Sequence, residues 1–270
     1  MLDLFVQLET AWHTPTARGK CQAVDALIPA YLSLKLGLET LPTGMAQAAP
    51  NCATVGRPAQ PVCIPPESLP LRKAVDKEGR AALLHAIAHI EFNAINLALD
   101  AAWRFKNLGA EFVRDWVGVA IEEAYHFSLV TERMRQLGVD YGDLPAHDGL
   151  WRIAEQTAED VLARMALVPR LMEARGLDAL PPIFRSFQGI GDKPTLRALS
   201  IIARDEVRHV ALGDAWFRKL CGMQSLPVAA TYQTLIATYD VPRPRPPFNE
   251  AARVAAGFDA QELAALAGRQ

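Results

Sequence analysis

Twice in this chain a glutamate is followed just over thirty residues later by a Glu-x-x-His motif, and each of these groups lies on the apolar stripe of a helical segment. Glu91 precedes Glu123-Ala-Tyr-His126 by 32 residues, and Glu173 precedes Glu206-Val-Arg-His209 by 33. Residues three apart lie one turn from each other on one side of a helix, so each motif aims a carboxylate and an imidazole in the same direction. That direction is inward. Glu123 and His126 fall between Trp116, Val119, Phe127, Val130 and Met134, while Glu206 and His209 fall between Leu199, Ile202, Val210, Trp216 and Leu220. Glu91 shares a stripe with Leu84, Ile87 and Ile95, and Glu173 with Leu162, Met165 and Leu177. A buried carboxylate is costly without a compensating partner. Two Glu-x-x-His pairs, each with one further inward Glu from a neighbouring helix, form the six-ligand set with which a four-helix bundle holds two divalent metals. Four carboxylates and two neutral histidines carry four negative charges, which two divalent cations neutralise; without them the group repels itself. Glu159 competes with Glu173 for the third helical position, but its spacing to Glu206 breaks the repeat.

The segments around these residues read as helices, and the predicted fold class is all-α. Ala and Leu are abundant and β-branched runs are few, which favours helix over sheet. The expected long helices run from about Arg72 to Asn107, from about Ala110 to Leu137, from Asp148 past Glu173, and from Pro194 to Gly222. Gly138 is placed to end the second, and Asp148 and Asp192 to cap the third and fourth. Pro169 should kink the third helix and Pro181-Pro182 should disturb its end. A short first connection, a crossover and a longer last connection suit a four-helix bundle over residues 71–222. Residues 1–70 read as an N-terminal helical arm, broken near Pro15 and Pro29, followed by a Pro-rich connector over 42–70. Residues 223–270 read as a wrapping tail, extended at Val241-Pro-Arg-Pro-Arg-Pro-Pro and ending in a short helix with Asp259 and Glu262 as a capping box.

Composition sets limits on partners and location. The formal charge is −2, from 28 basic and 30 acidic residues, and no polybasic block occurs; neither a nucleic-acid nor a membrane footprint is expected. Ala81–Trp103 is long enough to cross a bilayer, but it contains His85, His89, Glu91, Asn93, Asn96 and Asp100, so a buried core helix is expected instead. The N-terminus has no basic segment ahead of its apolar part and does not read as a signal peptide. Cys21, Cys52, Cys63 and Cys221 form no CxxC pair. A cytoplasmic protein with reduced thiols and no zinc ribbon is expected. His85 and His89, four residues apart, read either as a separate metal pair or as satisfied core histidines. Tyr125 points about 100° away from its neighbour His126 on the helix, which argues against a radical or proton role. Trp216 reads as core, and His147 as a loop residue that caps structure.

Both motifs are preceded by an acid, in Glu122-Glu123-Ala-Tyr-His126 and Asp205-Glu206-Val-Arg-His209. The second resembles the Asp-Glu-x-Arg-His signature of ferritin-like di-iron carboxylate proteins, among them desaturases and ribonucleotide reductase small subunits. His85-Ala-Ile-Ala-His-Ile-Glu91, Tyr141-Gly-Asp-Leu-Pro-Ala-His147 and Glu173-Ala-Arg-Gly-Leu-Asp178 resemble an uncharacterised ferritin-like family, domain of unknown function 455, over most of the chain. Glu173-Ala-Arg followed by the last Glu-x-Arg-His also resembles the di-iron tRNA hydroxylases, although the near-neutral charge lends no support to an RNA substrate.

The resemblance implies a ferritin-like four-helix bundle with two iron ions, with manganese or mixed metals as the alternative. It also implies that Glu122 and Asp205 accept the free N–H of a metal-bound histidine and fix its tautomer. The activity it implies is an oxygen-activating oxidase or hydroxylase, a di-iron oxidoreductase taking oxygen and a small-molecule substrate, with the substrate and the electron donor left open. A homodimer is compatible with this reading. Its rivals are a di-manganese, catalase-like enzyme and a non-enzymatic metal-binding or iron-handling protein. A rubrerythrin-type peroxidase is disfavoured by the missing CxxC module.

Overall fold

A computed structural model describes residues 4–38, 49–69 and 76–268. Every regular element among them is helical, and the only β-pairing is an isolated parallel bridge between Cys63 and Ala146. The chain packs as two compact units, Met1–Trp151 and Arg152–Gln270.

In the N-terminal unit three short helices, α1 (Leu4–His13), α2 (Ala17–Asp25) and α3 (Ile28–Lys35), precede the connector. Pro29 stands in the first turn of α3, where proline fits, so the break falls at Ala26–Leu27 instead. The two long helices are α4 (Lys77–Arg104) and α5 (Ala110–Gln136). The expected start of α4 near Arg72 and part of the connector lie outside the described residues; Asp76 caps α4 by accepting from the Gly79 N–H at 2.6 Å. A single 3-10 turn, Lys106–Leu108, and Gly109 fold α5 back against α4. Gly138, at φ 82°, follows the end of α5 as expected. Among the described residues α4 is the one helix long and apolar enough to cross a bilayer; 78% of its most apolar window is buried, as in a core helix. Trp12 from α1 meets Trp103 edge-on, with ring centroids 6.4 Å apart. Arg104 pairs with Asp100 at 2.7 Å and donates to the Pro50 carbonyl at 2.6 Å, which ties the connector to α4.

Lys20 is fully buried in α2 and donates to the Trp12 carbonyl at 2.8 Å. Burial and then the nearby Arg57 charge lower its pKa from 10.5 to about 7. The folded value lies below the unfolded one. Between about pH 7 and 10.5 the unfolded chain therefore binds the proton and the folded chain does not, and stability rises with pH across that window. Lys20→Met should abolish a slope of roughly 1 kcal/mol per pH unit, measured by urea denaturation between pH 7 and 9. An unchanged slope would show that Lys20 stays charged in the fold.

The C-terminal unit opens in α6 (Gly149–Gln156), which carries the boundary. The expected long third helix is broken here. A turn over 157–160 separates α6 from α7 (Val161–Leu167), because Asp160 caps α7 through the Ala163 N–H and the buried Arg164 spends its guanidinium on Thr157 and the Ala154 carbonyl. The expected kink at Pro169 takes the form of a π-helical turn, Val168–Glu173. A proline removes one helical N–H and crowds the preceding turn, and the wider turn absorbs both effects. A Cβ built on Gly213 of α9 (Lys193–Met223) would lie 2.4 Å from the Pro169 ring, so glycine there makes room for it.

Pro181 and Pro182 lie inside α8 (Ala174–Gly189) and do not end it. Proline at 181 leaves the Leu177 carbonyl without its helical donor, and the Asn249 amide from the tail donates to it at 3.2 Å. Asp192 caps α9 through Thr195, with Pro194 in its first turn. The tail adds α10 (Val228–Thr238) and α11 (Glu250–Ala255), which periodicity did not reveal. It ends in α12 (Ala260–Leu266), where Asp259 and Glu262 form the expected capping box. It is held by two fully buried arginines: Arg170 pairs with Asp214 and Glu262, and Arg253 pairs with Asp178.

Candidate metal centre

In the N-terminal unit the fold brings three of the expected ligands together. Glu91 projects from α4 among Leu84, Ile87 and Ile95, and Glu123 and His126 project from the facing stripe of α5. All three are buried, at 5%, 1% and 0% exposure. The Nδ1 atom of His126 lies 3.3 Å from the Glu91 carboxylate and 3.5 Å from that of Glu123. One ligand atom from each residue falls within 4.8 Å of the others, close enough to converge on one small cation. Burial alone would lower the His126 pKa, but its contacts with Glu123 and Glu91 and their charges override this and raise it to about 11. The two carboxylates therefore demand positive charge at the spot the imidazole faces.

The C-terminal unit holds the other three expected ligands. Glu206 and His209 lie one turn apart on α9, both buried, with Nδ1 of His209 3.4 Å from the Glu206 carboxylate. Glu173 is buried as the last residue of the π-helical turn. Its competitor Glu159 is exposed in the turn before α7, where it meets no core. Asp205 is buried and accepts two hydrogen bonds from Arg204, at 2.8 and 2.9 Å. Glu122 is half-buried on α5. Tyr125 is 51% exposed, as its angle on the helix required, and Trp216 is core.

His85 and His89 each turn toward the loop after α5. His85 accepts the Gly142 N–H at 3.1 Å, and His89 sits 2.9 Å from the Tyr141 hydroxyl; both rings stack on Tyr141. Burial dominates at His89 and lowers its pKa to about 4, so the ring is neutral near pH 7. His147 accepts the Gly149 N–H at 3.3 Å, a local cap at the start of α6. Asp148, the expected cap, binds Arg57 at 2.8 Å. Sequence reasoning missed a second convergence here: Cys63 from the connector, His89 from α4 and Asp148 also bring ligand atoms within 4.8 Å of one another. No spacing rule joins three residues from three separate segments. The only signal was the density of polar residues on the apolar α4.

A family profile described as "Protein of unknown function (DUF455)" matches residues 13–264. An uncharacterized protein of Haemophilus influenzae is 42% identical over 268 residues, covering 95% of this chain and 91% of the relative. No solved structure matches the chain.

Proposed function

We propose, for a chain that belongs to the DUF455 family of proteins of unknown function, a di-metal carboxylate protein with a ferritin-like four-helix bundle. In this reading Glu91, Glu123 and His126 supply half of the ligands and Glu173, Glu206 and His209 the other half, for two iron ions. The observation that carries it is the buried convergence of Glu91, Glu123 and His126. The second Glu-x-x-His pair, also buried, repeats part of that arrangement. The donor set fits the group: hard carboxylate oxygens with single imidazole nitrogens suit iron or manganese, and there is no thiolate among them to select a softer ion.

When bound, a pair of iron ions supplies the electrons for reduction of dioxygen, and the activity proposed is that of an oxidase or hydroxylase. The chain's own part is to bind, orient and exclude water. The carboxylates offer two oxygens each and can hold a cation through one or both. The imidazoles, 0% exposed, are fixed in orientation by their packing. Trp116, Phe127 and Val130 keep the surroundings of Glu123 and His126 apolar, which strengthens every charge interaction there.

Metal analysis of the purified chain should find close to two iron ions per chain. Mixing the anaerobic ferrous protein with oxygen should produce a transient change in visible absorption. Manganese in place of iron would favour the catalase-like reading, and loading far beyond two ions per chain would favour iron storage. A ferrous protein that stays silent toward oxygen would overturn the oxygen-activating reading and leave a metal-stabilised scaffold.

A further inference from the structure

The Cys63, His89 and Asp148 cluster has the architecture of a metal site of a different kind. Its position is set by backbone pairing. The Ile64 N–H donates to the Ala146 carbonyl at 2.8 Å and the Ala146 N–H to the Val62 carbonyl at 3.1 Å, so Cys63 is clamped beside the loop that carries Asp148. The tautomer of His89 is set by a chain of hydrogen bonds. Arg57 donates to Asn93 Oδ1 at 3.2 Å, which fixes the orientation of that amide. Asn93 Nδ2 then donates to the nearer His89 Nε2 at 3.0 Å, so Nε2 carries no proton of its own and its 3.2 Å approach to the His147 carbonyl oxygen is a contact between two acceptors, which a cation bound at Nε2 would relieve. The ring proton therefore sits on Nδ1 and is donated to the Tyr141 hydroxyl at 2.9 Å. A neutral imidazole with one N–H held by a hydrogen-bond acceptor and its other nitrogen unprotonated is the form that binds metals, here once the Asn93 amide gives way, and the acceptor also raises its basicity.

Asp148 is held in the same way: both of its oxygens accept from Arg57 Nη1, at 2.9 and 2.8 Å. Carboxylate oxygens have a second lone pair each and can ligate while so bonded. Cys63 is exposed, so a cation can reach the cluster from solvent.

We propose that Cys63, His89 and Asp148 form a second, independent site for a soft divalent cation of the zinc class, with a fourth coordination position open to a ligand from solvent. A thiolate, an imidazole nitrogen and a carboxylate are zinc's protein donors, and three of them with one vacancy is the pattern of sites where zinc acts on a ligand. On binding, the Cys63 thiol releases its proton to solvent and the Asn93 amide leaves Nε2. The ligand atoms, within 4.8 Å of one another, draw in to the roughly 2.0–2.3 Å metal–ligand distances of such a site. With Arg57 beside Asp148 the filled site carries one net positive charge, so an anion such as hydroxide suits the open position.

Cobalt(II) chloride, titrated into the chelator-treated full chain, reads this site selectively, because only a sulfur ligand gives intense thiolate-to-cobalt charge-transfer absorption. The band should grow to one equivalent in the wild type, vanish in Cys63→Ser, and need about 10–100-fold more cobalt in Tyr141→Phe, the effect typical of losing a partner behind a ligand. It should persist unchanged in Glu123→Ala, which separates this site from the carboxylate centre. As a second readout, zinc chloride should protect Cys63 from alkylation by iodoacetamide. A wild-type chain without the band, or a band that survives Cys63→Ser, overturns the proposal.

Discussion

Arg170→Met is expected to destabilise the protein by about 3–5 kcal/mol, the usual cost of breaking a buried ion pair from one side. Arg170 is fully buried, with Asp214 at 2.6 Å and Glu262 at 2.5 Å. Its guanidinium also stacks over Tyr232 and Phe258, 4.1 and 4.6 Å from their ring centroids. Arg218 reaches the same two carboxylates at 2.8 Å each, but from a position 34% exposed. It cannot replace the buried charge, and methionine would leave Asp214 and Glu262, exposed by 4% and 5%, with half of their compensation. For a chain of this size the loss corresponds to a fall in Tm of roughly 10 °C, at about 2–4 °C per kcal/mol. Arg170→Lys should fall between wild type and methionine, since it keeps the charge and loses the planar fork. Because Glu262 belongs to α12 and Asp214 to α9, the variant should also expose the 241–249 segment to limited proteolysis. A change under 1 kcal/mol would mean that Arg218 alone satisfies both acids.

The same network shows why parts of the fold were legible and parts were not. Elements fixed by local chemistry were readable: the Asp192 cap on α9, the Asp259–Glu262 capping box, Gly138 after α5 and the buried face of each long helix. All depend on residues a turn or less apart. What failed depended on partners more than a turn away. Pro181 and Pro182 were expected to disturb the end of the helix because proline removes donors, and α8 continues past them with Asn249, some seventy positions later, donating to the Leu177 carbonyl. The split between α6 and α7 rests on Arg164, whose buried guanidinium ties the turn together. No periodicity encodes that choice.

The burial of the two Glu-x-x-His pairs was legible for a related reason. A Glu and a His at i and i+3 within an apolar stripe have few places to go, and Glu123, His126, Glu206 and His209 are all buried. The choice between Glu159 and Glu173 was not settled by spacing alone; exposure separates them, because the turn before α7 turns Glu159 outward. The Cys63, His89 and Asp148 cluster was opaque, since it is assembled by a loop and a Pro-rich connector whose course no local rule predicts.

The second large effect is a reversal that distinguishes a metal centre from a structural ion pair. Glu123→Gln keeps the shape of the side chain and removes its charge. In the chelated chain His126 lies between two acids, Glu91 and Glu123, so losing one acid still leaves a paired imidazole and relieves a buried negative charge. The expected change there is within about 1 kcal/mol, of either sign. In the metal-loaded chain the same substitution removes a ligand. Ferrous ion at a thousand times its dissociation constant should stabilise the wild type by about 4 kcal/mol, and the variant should lose nearly all of that gain along with its bound metal. His126→Ala should lose the gain too, but it also removes the imidazole from between the two carboxylates and opens a cavity at a fully buried position, so it should be destabilised even under chelator. Paired melts with and without metal therefore give different patterns for the two substitutions. If Glu123→Gln costs the same several kcal/mol in both conditions, Glu91, Glu123 and His126 are a buried salt bridge, and the metal reading of the carboxylate centre fails.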